Sequence, residues 1–181
     1  MKTLLSLLLA GAAAWAADPA PNPVGQVLDR QLSMLERELV PLAEAMPAAK
    51  YDFAPSGGEF QGVRTFGQQV GHTAAVIYAV AAATLEEKNP SELGPGENGP
   101  ATLKTKEQLV TYLKDSIAYA HKAMASVTAA NVTAPVPNAF GEGKAPRLSM
   151  ATIAVWHSFD HYGQMVVYAR MNGIVPPASR R

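Results

Sequence analysis

SMATIAVWHSFDHYGQMVVYARMNG, residues 149–173, reads as one long helix that carries chemistry. Ser149 suits an N-cap, Gly173 a stop, and Pro176-Pro177 follow as they do past a helix end. Each residue advances the helix by about 100°, so with His157 at zero, His161 falls at about +40°, Gln164 at about −20° and Tyr168 at about +20°. Met150 and Ile153 share that side. Val155, Phe159, Tyr162 and Val166 take the far side, about 140–200° away. A helix apolar on both sides must be covered on both. The inner side calls for a bundle. The outer side predicts a homodimer, with the long loops as the other cover.

Working back along the chain, three more helical stretches appear and no convincing strand. Val24 to Met46 carries Val27, Leu28, Leu32, Leu35, Leu39 and Leu42 at helical spacing, and Pro41 is expected to kink or divide it. Thr65-Phe-Gly-Gln68 has capping-box spacing and opens an Ala-rich helix to about Lys88. Thr105-Lys-Glu-Gln108 repeats that spacing and opens a third, to about Val127. Between them lie loops marked by Pro55, Gly57-Gly58, the GPGENGP run at 94–100, and Pro135, Pro137 and Pro146. Four such helices predict an all-α four-helix bundle. The connections are longer than the usual 2–8 residues of a simple bundle, which permits a crossover and places site residues in loops.

Composition removes several function classes. The chain has 181 residues, 15 basic and 15 acidic, and no cysteine. Zero net charge without charge blocks argues against nucleic acid, which needs clustered Lys and Arg. With 48% hydrophobic residues the chain is too apolar for disorder. Without cysteine there is no disulfide, thiolate metal site, cysteine nucleophile or covalently attached haem. Lys2, the apolar run Leu4–Ala14 and the small-x-small pattern Ala14-Trp15-Ala16 read as a secretory signal peptide over residues 1–16. The expectation is therefore an exported domain over 17–181, periplasmic or extracellular, with no stable membrane span after cleavage.

The chemistry then runs through histidine. His157 and His161, at i and i+4, can converge on one metal. A third ligand must come from another helix, and His72 is the best candidate. It shares a stripe with Thr65, Gln68, Val76, Ala79 and Ala83, where small neighbours leave room, and a buried imidazole there needs a partner. Three neutral imidazoles would leave coordination positions open. The same spacing also serves core histidines satisfied by hydrogen bonds. His121 lacks a paired ligand nearby in sequence and is expected to line the pocket or sit at its edge rather than to bind the metal. Asp160 flanks the ligand side, either supporting a ligand or facing solvent. HExxH, Glu-x-x-His, GxSxG and phosphate-loop motifs are absent. Asn131-Val-Thr133 matches a glycosylation sequon. Trp156, Phe159, Tyr162 and Tyr168 read as core or interface.

RTFGQQVGH at 64–72, HSFDHYGQMVVYARMNGIVPP at 157–177 and MPAAKYDFAP at 46–55 together resemble the DinB/YfiT-like superfamily of small metal-binding bundles. The resemblance implies an up-down-down-up bundle and a divalent metal, Zn, Ni, Fe or Mn, held by His72, His157 and His161. Members with known activities include thiol-dependent transferases and isomerases using bacillithiol or mycothiol. The apolar leader and Pro41 depart from that pattern. The function expected is a metal-dependent hydrolase or transferase acting on a small molecule. The competing readings are a non-enzymatic metal or small-ligand binding module, and a non-covalent haem protein.

Overall fold

The computed structural model describes residues 22–180. The signal-peptide reading of residues 1–16 lies outside them. Four helices form the body: α1 (Pro23–Ala45), α2 (Phe66–Leu85), α3 (Lys106–Ser126) and α4 (Arg147–Met171). A short antiparallel pair, β1 (Pro135–Pro137) and β2 (Lys144–Pro146), joins α3 to α4. No helix among the described residues is long and apolar enough to cross a membrane.

Side-chain contacts fix the helix directions. Asn22, the N-cap of α1, accepts from Gly25 N and donates to Ala125 O near the end of α3. At the other end of α1, Glu44 meets Lys106 and Lys114, so α1 and α3 are antiparallel. Tyr78 of α2 packs on Tyr112 and Tyr119 of α3, and Glu87, just past α2, accepts from Tyr119, so these helices run together. Gln69 meets Gln164 and Thr84 meets Arg147, so α2 and α4 are antiparallel. The bundle is thus up-down-down-up, as expected.

The leucine stripe of α1 carries the core. Leu28, Leu32, Leu35, Leu39 and Leu42 are all buried, each contributing about 1.5–3 kcal/mol on leaving water. They meet Val70 and Ile77 of α2, Leu113 and Ile117 of α3, and Met165 of α4 in one cluster. α2 is buried on almost every side because alanines let its neighbours close in, so it has no single ligand stripe. Of the stripe expected around His72, Gln68 is exposed and Val76, Ala79 and Ala83 are core.

Three features differ from expectation. Pro41 does not divide α1, which continues to Ala45. α4 starts at Arg147 rather than after Ser149, with Pro146 at the cap position. Buried Arg147 explains the early start: it donates to Thr84 O and pairs with Glu86 Oε2 at 2.5 Å, tying the start of α4 to the end of α2. The strands were not foreseen because they are three residues each and rich in proline. The ladder tolerates this because Arg147 N donates to Ala134 O and Asn138 N to Gly143 O. By two-residue alternation the prolines at 135, 137 and 146 fall at positions that need no N–H. Val136 points inward against Ala83 and Met150.

On α4, Val155, Phe159, Tyr162 and Val166 are half-buried against the flank of the core. Leu148, Trp156, Val167 and Met171 are the exposed large apolar residues of that helix. Asn131 is engaged on both sides of its amide, accepting from Thr128 N and donating to Ser126 O, which turns the chain after α3.

Candidate metal centre

His72 enters the bundle two turns into α2, a helix set in register by the complete Thr65–Gln68 capping box. His157 and His161 come from the facing side of α4. The three rings meet edge to face, with centroids 4.6–5.3 Å apart. His72 Nε2 and His157 Nε2 are 3.2 Å apart. One ring nitrogen from each histidine lies within 4.8 Å of the other two. Two imidazole nitrogens each about 2.0–2.1 Å from a tetrahedral ion stand about 3.3 Å apart, so the donors present fit a divalent metal.

The hydrogen bonds on the far side of the rings choose the tautomers. His72 Nδ1 donates to the Glu97 carbonyl at 2.8 Å, which leaves Nε2 bare. For His161 the polarity is set from further out. The Asp160 carboxylate can only accept, and takes Gln164 Nε2 at 3.2 Å. Gln164 Oε1 then accepts from Gln69 Nε2 at 2.9 Å. Gln69 Oε1 is left to accept from His161 Nδ1, at 2.5 Å. His161 Nε2 is therefore also bare. Such partners orient metal-binding imidazoles and raise their basicity.

The Glu97 carbonyl reaches His72 because the loop before α3 folds back on α2. Gly96 and Glu97 both take left-handed backbone, φ 61° and 59°. Glutamate rarely adopts that conformation, and such strain is held by its surroundings. Gly71 makes the approach possible: a Cβ there would stand 2.3 Å from Asn98 O. Arg64 pins the loop further, donating from Nε to Asn98 Oδ1 at 2.8 Å and from an Nη2 hydrogen to Gly96 O at 3.0 Å.

Burial holds the rings neutral. His72 and His161 are 4% and 6% exposed. Desolvation lowers the pKa of all three histidines below 6.5. For His161 the charges of His157, His72 and Arg64 add to burial, and its pKa falls to about 3. Neutral imidazole is the form that binds metal.

The three histidines expected at the site are all there. Gln164 supports Gln69 rather than touching a ring, and Asp160 anchors that chain. His121 is elsewhere, between α1 and α3, with Nδ1 2.5 Å from Asp29 and Nε2 3.3 Å from Glu36. Gln69, the Glu97 carbonyl and Arg64 were not foreseen as site residues. Gln69 did carry a signal: an amide one turn before His72 on a helix that is mostly apolar. The Glu97 carbonyl carried none, being backbone.

A pocket of about 470 Å³ opens beside the centre, lined by Arg64, Gln68, Gln69, Asn98 and Gln164 among others. Neither it nor a larger cleft of about 640 Å³, between Tyr51 and Lys104, has a histidine on its wall; Gln69 and Gln164 link the smaller one to His161.

A family model described as the DinB superfamily matches residues 31–165, which include all three histidines. The crystal structure of a DinB-like protein from Bacillus cereus is similar with a TM-score of 0.65 at 15% identity, over 84% of this chain and 95% of that one. At that identity the likeness bears on the fold. No curated protein matches the chain.

Proposed function

The chain belongs to the DinB superfamily, and from that premise we propose that it is an exported metal-dependent hydrolase or transferase acting on a small molecule. One observation carries the reading: His72, His157 and His161 converge, and their outer hydrogen bonds leave the inner nitrogens of His72 and His161 unprotonated. His72, His157 and His161 would hold one divalent ion, Zn, Ni, Fe or Mn. When bound, such an ion polarises a substrate oxygen or acidifies a bound water or thiol. The Glu97 carbonyl and Gln69 fix the rings of His72 and His161. Gln164 and Asp160 hold Gln69. The pocket beside them admits substrate from the loop side.

Metal analysis of the purified mature protein tests this. The expected result is one equivalent in the wild type and in His121→Ala, and a sharp loss in His72→Ala, His157→Ala and His161→Ala. Stoichiometric metal retained by all three triad variants rejects the centre. A hydrolase and thiol-transfer screen of the loaded protein then separates catalysis from simple binding. For export, mass spectrometry of the secreted or periplasmic fraction should find a chain starting at Ala17, whereas intact Met1 there refutes cleavage. The exposed strip of Trp156, Val167 and Met171 supports a homodimer through α4. Sedimentation as a monomer at high micromolar concentration rejects it.

A further inference from the structure

The wall of the pocket beside the histidines carries a single charge. Arg64 is the only ionisable residue lining it, and the rest are amides, glycines and a valine. No carboxylate among the described residues pairs with Arg64. Its known partners are neutral acceptors, Asn98 Oδ1 and Gly96 O. These use the Nε hydrogen and one Nη2 hydrogen, while Nη1 makes no hydrogen bond among the described residues.

Arg64 is also held in place. Its own carbonyl accepts from the hydroxyl of buried Tyr168, at 3.2 Å. Tyr168 in turn packs edge-on against Phe53, with centroids 5.8 Å apart. Tyr168 of α4 thus fixes the backbone of Arg64, and the loop before α3 fixes its guanidinium beside the pocket. A surface arginine left to solvent has no such support. Arg64 stands close to the triad: the loop it holds carries the Glu97 carbonyl that meets His72 Nδ1, and Gln69, which meets His161, shares its pocket wall.

A fixed guanidinium with spare donors and no acid beside it is matched by an oxyanion, which takes two parallel N–H bonds. We propose that Arg64 is the specificity-determining residue of this pocket and that the substrate carries a carboxylate or phosphoryl group, seated between Arg64 and the histidine triad. The assignment of that anion as substrate rests on the metal-centre reading. A volume of about 470 Å³ suits a small molecule rather than a polymer segment.

The test titrates the purified full protein, metal-free and zinc-loaded, with benzoate, inorganic phosphate and the neutral isostere benzamide. The expected result is binding of benzoate or phosphate, weakened by added salt, with benzamide much weaker. Arg64→Gln should weaken anion binding by about 10- to 100-fold, the worth of charge-assisted hydrogen bonds, with wild type and variant compared both metal-free and at saturating zinc. Arg64→Lys should fall between, keeping the charge and losing the fork. Benzamide binding as well as benzoate, no anion binding by the wild type, or unchanged anion affinity in Arg64→Gln each overturns the proposal. If Arg64→Gln does not fold, the benzoate–benzamide comparison on the wild type still decides. Anion binding that depends on Arg64 in a protein that takes up no zinc would support the anion site and reject the metal centre.

Discussion

Gln69 Oε1 accepts the Nδ1 proton of His161 at 2.5 Å, across the interface between α2 and α4. This contact decides which nitrogen of His161 faces His72 and His157. It depends in turn on Asp160, since only an acceptor at the end of the amide chain makes Gln164 present its oxygen to Gln69.

Gln69→Leu removes the acceptor and leaves the His161 Nδ1–H buried without a partner. Metal affinity should fall by about 10- to 100-fold, the usual cost of losing such a support. The fold should lose about 1–3 kcal/mol and stay helical. Competition with a chelator measures the first and denaturant unfolding the second. Unchanged metal affinity would mean that Gln69 does not orient the ring.

Gly71→Ala tests the loop. The new Cβ would meet the backbone Asn98 O at 2.3 Å, and neither atom can rotate away, so the 94–99 segment must retreat. The Glu97 carbonyl then leaves His72 Nδ1. Metal affinity should drop about tenfold or more, with overpacking costing about 1–3 kcal/mol in stability. Wild-type values for both would show that the loop has room to yield.

The helices were legible because their signals are local. The capping boxes at Thr65 and Thr105 both form as the spacing predicts. The i, i+4 pair His157–His161 was legible for the same reason. The pairing of His72 with them needed the helix directions, which spacing alone does not contain. The Glu97 carbonyl was illegible because any residue supplies one, and its position depends on left-handed backbone at 96–97 and on bare Gly71. Arg147 misled the start of α4. Its role, closing the end of α2 through Thr84 and Glu86, is a contact over 60 residues of sequence.

The metal-free protein should lose stability in acid through its site histidines. Their folded pKa values lie below the unfolded value of about 6.5, so the unfolded chain binds more protons wherever pH lies between the two. Stability is therefore full above about 6.5 and falls as pH drops, for His161 down to about 3, with a slope of up to about 1.4 kcal/mol per pH unit for each histidine. Urea unfolding of the metal-free protein between pH 7 and 4 reads this directly. His161→Phe should flatten the slope. A pH-independent midpoint in the wild type would show that these rings are not held neutral.

His121 should do the opposite. Burial opposes its charge, but the hydrogen bonds and charges of Asp29 and Glu36 outweigh that and raise its pKa. A raised folded value makes the native state the stronger proton binder. Its stabilisation is then fully present below about 6.5 and is lost as pH rises through the folded value. Asp29 and Glu36 are half exposed, so the effect is that of a surface pair, about 0.2–1 kcal/mol. His121→Gln should thus lower stability at pH 5.5 and match the wild type at alkaline pH, with metal content unchanged at both. The two histidine systems then separate by sign: acid weakens the α2–α4 site and strengthens the α1–α3 pair. A stability deficit in His121→Gln that persists undiminished at pH 9 would show that the ring acts by packing rather than by charge.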